Sequence, residues 1–531
     1  MRRCWYYGLG ASFVCNGKKT DEFRPYIFVV SDGKPRVPGA VSIESTGYKP
    51  YEFDGLRYKE SRGAVWKVEF RTPQDVRTGR EGLKVSQSYI PYALRVAGDL
   101  GISKQLLLNP IGSLPQYTID AYERAKSLRI LAFDVEEVGN DVYVGFSLDG
   151  RDVQIIKLKK GERVKSSDIP DADYLVGYNS WQYDWRFLPA PTPYAVAAPR
   201  GLMPHIDLFP AYRGSFGTSL GRTESSLALY DIARQLGVHK SLNISDVDLY
   251  TIKSMRRKLR ALSEREVKAY LWVDVAVTWH VADVAVRTME VLGSLVGANA
   301  MVISQVAERF SPAVLFEFLA HKRLMEVEGG VFVDRSREWD YEAGEKVFAA
   351  QPGLFHTVAE YDINAMYPTL IAIHGVDPTS ARECPDGFPV SLHKAGDVRV
   401  VRVCWKGGPV HEIVTGALLA RRAVKKVSRS ADQALKIVIN AAYGTMAKGG
   451  TGIINEVASA FIAQISTAVH KELREKYKPV YGDTDSLYVP LPSPEAADPL
   501  LEELNNYLRE RWAGPYSEKF GLWLEFKLEG V

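Results

Sequence analysis

Apolar and polar positions alternate in short runs through residues 23–70, as in Tyr26-Ile27-Phe28-Val29-Val30 and Ala64-Val65-Trp66-Lys67-Val68-Glu69-Phe70, with Gly and Pro between the runs. A period of two, punctuated this way, predicts a small β-rich region. The stretch Asn109-Pro110-Ile111-Gly112-Ser113-Leu114-Pro115 reads as a linker closing it. From residue 126 to 290, strand-like runs (Arg129 to Val135, Asp141 to Ser147) alternate with helical patterns such as Leu227 to Leu236. That predicts an α/β region, with the Pro-rich stretch Pro189 to Pro204 as one of its loops. The most apolar stretch, Val281 to Val306, is interrupted by Asp283, Arg287 and Glu290. It reads as an amphipathic core helix, since a membrane span needs roughly 18 consecutive apolar residues. After a helical segment, strand-like Glu328 to Asp334 opens a third region that mixes strands with long helices. No internal repeat or low-complexity tract appears.

The 531 residues, 46% hydrophobic and 25% charged, exclude collagen-like, largely disordered and disulfide-scaffold classes. At roughly 100–200 residues per domain the length implies about three to five folding units. The 67 basic and 64 acidic residues leave a net charge of +3, which neither requires nor excludes nucleic acid, because a basic cleft can sit inside a near-neutral total. Cys4, Cys15, Cys384 and Cys404 contain no C-x-x-C pair, which argues against a structural zinc site. Met1-Arg2-Arg3 before a short aromatic run faintly imitates a signal peptide, but the following stretch is too polar and lacks a small-x-small cleavage site. The expectation is a cytoplasmic protein without membrane partners. Asn16-Gly17-Lys18-Lys19-Thr20 fails the phosphate-loop spacing and predicts a hairpin turn, and Asn243-Ile244-Ser245 is read as a chance glycosylation sequon.

Three acidic clusters carry the candidate chemistry. In Phe133-Asp134-Val135-Glu136-Glu137, at the end of an apolar strand, Asp134 and Glu136 point to one face. Two such carboxylates repel unless a cation lies between them, so the pair fits a divalent-metal site; the alternative is an acidic strand end facing water. The second cluster is Tyr361-Asp362-Ile363-Asn364-Ala365-Met366-Tyr367-Pro368, an acid at a strand end before a helix start. The third, Tyr481-Gly482-Asp483-Thr484-Asp485-Ser486, places an Asp-x-Asp pair at the tip of a predicted hairpin, where Asp and Gly also occur for conformational reasons alone. Between them, Arg422 with Lys426 and Lys436 with Asn440 are spaced i, i+4, Tyr443 follows three positions on, and Arg421, Lys425 and Arg429 add charge. Such a basic helical pair is either a solvated face or a surface for a polyphosphate.

In this order the segments resemble an archaeal-type family B DNA polymerase. Asp362 through Tyr367-Pro368 resembles the first polymerase motif, Asp-x-x-Ser-Leu-Tyr-Pro. Lys436-Ile-Val-Ile-Asn440-Ala-Ala-Tyr443-Gly444 resembles the second, Lys-x-x-x-Asn-Ser-x-Tyr-Gly, and the segment from Tyr481 to Ser486 matches the third unchanged. Upstream, Asp134-Val-Glu136, Asn179-Ser-Trp-Gln-Tyr183-Asp184 and Tyr270-Leu-Trp-Val-Asp274 resemble the three exonuclease motifs, with Tyr183 where Phe is usual. Phe23-Arg24-Pro25-Tyr26-Ile27, Pro73-Gln74-Asp75-Val76 and Ile90-Pro91-Tyr92-Ala93 extend the resemblance to the N-terminal region.

The resemblance implies a multidomain α/β and α+β fold. Its expected parts are an N-terminal β-rich domain (1–125), an RNase H-like 3′→5′ exonuclease domain (126–295), linking helices with the first part of the palm (296–415), short helical fingers (416–447) and the second part of the palm (448–531). It also implies template-directed synthesis from dNTPs on primer-template DNA, with proofreading. Asp362 and Asp485 would hold two Mg²⁺ ions, with Asp483 as a helper, and Mn²⁺ is able to substitute. Arg422, Lys426 and Lys436 would hold the triphosphate. Tyr367 would lie under the incoming sugar, and Asn440, Tyr443 and Gly444 would line the base-pair pocket. Asp134, Glu136, Asp184 and Asp274 would hold two ions for hydrolysis, with Tyr270 orienting the water. A template-uracil pocket is implied at Pro25, Pro73, Val76, Tyr92 and Arg95, and a Cys384–Cys404 disulfide stands as an alternative to two buried thiols.

Departures from the pattern are Ala365 and Met366 for Ser and Leu, Ala441 for Ser, and a separation of only fourteen positions from Arg422 to Lys436, where archaeal relatives carry a longer helical hairpin. Leu522 to Val531 resembles the segment just before the family's Lys-rich duplex-contacting motif. That motif and the thumb do not follow, so the expectation is a fold with the thumb absent, supplied by a second polypeptide or lost by truncation, with a sliding clamp as a further partner and a nucleoid-associated location. Two other readings stay open: a 3′→5′ exonuclease only, and a non-catalytic polymerase-like replication subunit.

Overall fold

The computed structural model describes residues 4–8, 11–342, 348–349, 352–447, 452–483 and 485–531, with the backbone alone at residues 246, 247, 249, 250, 253, 257, 348 and 349. Helices and sheets mix along the chain, as the patterning predicts.

The N-terminal region holds two sheets of its own. Cys4–Tyr6, Phe13–Cys15 and Lys18–Thr20 form one, and Ala40–Ser45, Ala64–Phe70, Tyr26–Ser31 and Val85–Ser86 pair in that order in the other. Asn16 and Gly17 turn the hairpin of Phe13–Cys15 with Lys18–Thr20, with φ of 52° and 77°, the left-handed pair that a two-residue turn demands. A third sheet is not local: Lys49–Phe53 pairs with Tyr58–Glu60 and, in parallel, with Gly330–Phe332. The N-terminal region is thus completed by residues far downstream of the expected boundary at 125.

The expected linker at 109–115 is instead the start of a helix, Pro110–Lys126. Asn109 caps it through Oδ1, accepting from the Gly112 N–H at 3.1 Å, and Pro110 occupies the first turn, where a missing N–H is harmless. Pro115 is carried inside the helix, whose packing against Glu264–Leu295 and Pro409–Val424 overrides the local signal. The Pro-rich stretch 189–204 likewise contains a hairpin, Ala195–Ala198 with Gly201–Asp207, rather than a loop alone. Its small apolar residues are buried in a six-stranded mixed sheet ordered Gln154–Lys159, Asp141–Ser147, Ile130–Val138, Tyr174–Gly177, Gly201–Asp207, Ala195–Ala198.

Helix Glu264–Leu295 packs on this sheet. Ser263 starts it with a reciprocal cap, its Oγ accepting from the Glu266 N–H while Glu266 accepts from the Ser263 N–H at 2.7 Å. It is long and apolar enough over one window to cross a membrane, yet 61% of that window is buried inside the protein. The apolar stretch 281–306 is two helices, because the chain breaks at Val296 to Asn299 before Ala300–Ala307.

The C-terminal half is built on a five-stranded antiparallel sheet ordered Phe348–Ala349, Tyr481–Asp483, Ser486–Pro490, Val358–Ile363, Phe526–Gly530. Helices Met366–His374, Pro409–Val424, Arg429–Ala447 and Glu456–Tyr477 pack around one another beside it. A separate hairpin, Arg382–Lys394 with Asp397–Cys404, has a bulge between Glu383 and Phe388, and the Cys384–Cys404 disulfide closes across it. Cys4 and Cys15, directly opposite on paired strands, form a second disulfide that the sequence reading did not anticipate.

All four cysteines are therefore paired. Thiol titration of the denatured, unreduced chain should find no thiol, and reductant should expose four. Replacing Cys384 and Cys404 together by Ser should lower stability by about 2–4 kcal/mol. Two thiols reacting on denaturation alone would contradict this pairing.

Candidate active sites

The first acidic centre is a cavity of about 800 Å³ lined by Asp134, Glu136, Asp184, Tyr230, Arg256, Tyr270 and Asp274, among others. Asp134 and Glu136 project from the central strand Ile130–Val138, two residues apart as predicted. Tyr270 and Asp274 lie one turn apart on helix Glu264–Leu295. Carboxylate oxygens of Asp134, Glu136 and Asp274 all lie within 4.8 Å of one another. Asp184, at the start of the short helix Asp184–Phe187, lines the same cavity without joining that tightest group.

Three unprotected carboxylates at such range repel by roughly 3–4 kcal/mol per ionised pair at an effective dielectric of about 20. Burial, then repulsion from Asp274 and its neighbours, pushes Glu136 up to about 8 and holds Asp134 well above the carboxylate range. Asp184 is raised by burial and by Asp207 and Glu136. Asp274 rises less, to about 6, because hydrogen bonds from Tyr230 and Tyr270 and the charge of Arg256 offset its burial. An all-oxygen set of buried carboxylates fits a hard divalent cation, which would replace the protons these acids otherwise retain.

Sequence reasoning missed three residues here. Tyr230 donates its hydroxyl to Asp274 Oδ1. Arg256 faces Asp134, Glu136, Asp274 and Tyr270. Buried Asp207 accepts from the backbone N–H groups of Asn179 at 2.7 Å, Trp181 at 2.9 Å and Phe209 at 2.9 Å. It thereby pins the loop leading to Asp184, including Asn179 at φ 61°. An Asp before Leu208–Arg213 is a legible helix cap; Tyr230 and Arg256 carry no comparable signal.

The second centre lies where inner strands of the five-stranded sheet end, at the tip of one hairpin and the end of its neighbour. Asp362 is opposite Ser486, and the Ile363 N–H donates to the Asp485 carbonyl at 2.7 Å, so strand and hairpin tip are locked together. Asp483 pairs with Ser486 across the tip as predicted; Thr484 lies outside the described residues. Burial, then Asp362 and Asp483, pushes Asp485 up to about 6. Asp362 is raised by burial and Glu529, against the opposing charges of Lys527 and Lys436. Lys436 thus faces both acids, from helix Arg429–Ala447.

On that helix Asn440 is exposed, Gly444 borders open space, and the Tyr443 ring meets Tyr367 edge-on at 4.6 Å between centroids. Tyr341 joins them through a 3.1 Å hydroxyl contact to Tyr443. Ala365 enters helix Met366–His374 at φ 50°, a conformation that disfavours larger side chains. The basic pair is only partly as expected. Helix Pro409–Val424 ends before Lys426, so Arg422 and Lys426 do not share it, and Arg422 donates to the Gly521 carbonyl at 2.5 Å. Arg421 is committed to Asp432 at 2.7 Å.

In the N-terminal region, Pro25, Pro73, Val76, Tyr92 and Arg95 do come together, lining a pocket of about 210 Å³. Arg95 is buried at 3% exposure, held by the carbonyls of Tyr26 and Gln87, with Tyr26 stacked 4.6 Å from its guanidinium.

No protein-family model matches the chain. It is 24% identical over 562 residues to DNA polymerase 2 of Aeropyrum pernix, covering 88% of this chain and 68% of that protein. It is 28% identical over 182 residues to DNA polymerase II of Escherichia coli, covering 32% of this chain and 23% of that one. Its fold is similar to the structure of the family B DNA polymerase from the hyperthermophilic archaeon Pyrobaculum calidifontis, with a TM-score of 0.61 at 18% identity, over 100% of this chain and 78% of the other.

Protons and cations compete for these acids, and the competition has a definite sign. Glu136 ionises near 8 in the metal-free fold, so divalent-cation affinity of the cavity should rise between about pH 6 and 8, by up to about tenfold per unit. Over the same range the metal-free chain should lose stability, because the unfolded acid ionises near its ordinary value while the folded one keeps its proton. Calorimetric titration at about pH 6 and 8, with chelated samples denatured in parallel, measures both. Equal affinity at the two pH values would contradict the buried cluster.

Proposed function

We propose that this chain, which resembles archaeal-type family B DNA polymerases in sequence and in fold, synthesises DNA from dNTPs on a primer-template and removes mispaired 3′ ends by hydrolysis at a separate centre. The single observation that carries this reading is the approach of Asp485 to Asp362, with Lys436 facing both acids and Tyr367, which meets Tyr443 edge-on, facing Asp485. Residues 126–295 are assigned to hydrolysis, 416–447 to fingers, and the segments on either side of the fingers to a palm.

Two divalent ions per centre, Mg²⁺ with Mn²⁺ as a substitute, would stabilise charge on the attacking and leaving oxygens when bound. Asp362 and Asp485 would hold them for synthesis, and Asp134, Glu136, Asp184 and Asp274 for hydrolysis. The chain's own side chains do the rest. Lys436 neutralises phosphate charge developing near the two acids. Lys426, and Arg422 once released from Gly521, bind the outer phosphates at the exposed rim. Tyr367 lies under the sugar and leaves no room for a 2′-hydroxyl, while Asn440, Tyr443 and Gly444 border the new base pair. Asp483 supports Asp485 from the other side of the hairpin tip. In the cavity, Tyr230 and Tyr270 hold Asp274, and Tyr270 orients the attacking water. The pocket around Arg95 takes a flat pyrimidine from the template strand, with Pro25, Pro73, Val76 and Tyr92 as its walls.

The deciding experiment is primer extension by the purified chain on a 5′-labelled, 3′-recessed duplex at low salt with Mg²⁺, with and without the four dNTPs. Extension with nucleotides and shortening without them is expected. Shortening in both lanes would leave hydrolysis as the chain's own activity. Asp362→Ala or Asp485→Ala should reduce extension by on the order of 10²–10³-fold and spare degradation, and Asp134→Ala with Glu136→Ala should do the reverse. Loss of both activities in either variant would refute two separate centres. On templates carrying uracil the chain should stall where it reads through thymine, and Val76→Trp should abolish the difference; equal stalling on both templates would remove the pocket's assignment.

A further inference from the structure

A third cluster of ligand-type side chains belongs to neither centre. Helix Ala313–Glu328 carries Glu317 and His321 one turn apart, each at 0% exposure. Asp334, two residues beyond strand Gly330–Phe332, joins them. A carboxylate oxygen from each acid and a ring nitrogen of His321 all lie within 4.8 Å of one another. None of the three lines the acidic cavity.

Their hydrogen bonding is complete on one side and open on the other. Asp334 accepts from the backbone N–H groups of Gln87 at 2.9 Å and Ser88 at 2.8 Å, and Glu317 Oε1 accepts from Gly452 at 2.7 Å. These contacts fix the carboxylates as outer partners fix metal ligands. Gly452 must be glycine for this, because a Cβ there would fall 2.3 Å from Asp334 Oδ1. In contrast, Glu317 Oε2 and both ring nitrogens of His321 find no hydrogen-bond partner among the described residues. The His321 Nε2 to Glu317 Oε1 separation of 3.7 Å is too long for one.

A buried imidazole has one N–H and one lone pair to satisfy, and a buried carboxylate wants a cation. Burial pushes His321 down to about 4, which keeps its lone pair free at neutral pH. Glu317 is pushed up to about 8 and Asp334 to about 6, chiefly by burial, as expected of acids awaiting a counter-charge. One imidazole with two carboxylates neutralises a doubly charged ion, and the nitrogen favours a transition metal over Mg²⁺ or Ca²⁺.

We propose that Glu317, His321 and Asp334 form a structural site for a divalent transition metal of the Zn²⁺ class. It would clamp the N-terminal segment at Gln87 and Ser88, the helix Ala313–Glu328 and the turn at Gly452 to one another. The test uses the full chain carrying Asp134→Ala, Glu136→Ala, Asp362→Ala and Asp485→Ala, which weakens the two centres described above. Elemental analysis after purification without chelator should find one transition-metal ion per chain. Chelation should remove it and lower Tm by several degrees, and Zn²⁺ alone should restore both. Replacement by Co²⁺ should give visible ligand-field bands.

Adding Glu317→Gln, which keeps an acceptor for Gly452, should abolish the bound ion, the bands and the effect of chelator on Tm. His321→Gln should do the same; if it fails to fold, Glu317→Gln decides alone. Absence of stoichiometric metal would overturn the proposal and leave a proton shared among the three groups. Full metal retention in Glu317→Gln would overturn it equally, by locating the ion elsewhere.

Discussion

Acidic side chains gathered away from water repel one another and favour their protonated forms, and much of this fold can be understood as the means of holding them together regardless. No flexible segment could do so, because repulsion would move the chain before it moved the charge. Asp134 and Glu136 therefore stand on a strand paired along its length with Asp141–Ser147 and anchored just before them by Tyr174–Gly177, and Asp274 on a helix packed across that sheet. Asp184 is the exception in kind: it starts a short helical turn, and the loop before it is tied by three backbone hydrogen bonds to buried Asp207. Asp362 follows the first rule, with strand neighbours on both sides.

The two centres apply this constraint in different degrees. In the cavity, burial dominates, and the compensating groups are two tyrosine hydroxyls and Arg256. At the sheet, the acids are more open, and Lys436 and Lys527 supply positive charge. A centre that receives a triphosphate and a base pair must present an open face and mobile cations. One that receives a strand end can be deeper, with its donors fixed in advance. The difference in burial thus matches the difference in the proposed substrates, although both centres draw on the same acid chemistry.

How much of this was legible in the sequence follows from how local each signal is. Period-two alternation aims Asp134 and Glu136 together, and the Asp-x-Asp between apolar runs sits at a hairpin tip, because both patterns depend on a few adjacent residues. Tyr230 and Arg256 reach Asp274 from distant parts of the chain and have no spacing to betray them. Pro110 and Pro204 mislead for a related reason: local breakers lie where a helix start and a buried hairpin tolerate them, and only tertiary packing makes that choice. The basic pair fails more narrowly, since a helix that ends two residues before Lys426 takes it off the face shared with Arg422.

The same non-locality governs how the N-terminal region is joined to the rest. Its strand Lys49–Phe53 takes its parallel partner from Gly330–Phe332, and a parallel neighbour cannot be supplied by a tight turn. Two residues on, Asp334 caps the backbone at Gln87 and Ser88 while lying against Glu317 and His321. The segment from 330 to 334 therefore completes a sheet, terminates a loop and approaches a buried cluster within five residues. The N-terminal sheets and helix Ala313–Glu328 cannot reach their final burial independently, and this stretch joins them beside other ties, such as the Tyr58 hydroxyl donating to the Ile454 carbonyl at 3.1 Å and the Gln305 amide donating to the Tyr6 carbonyl at 2.6 Å.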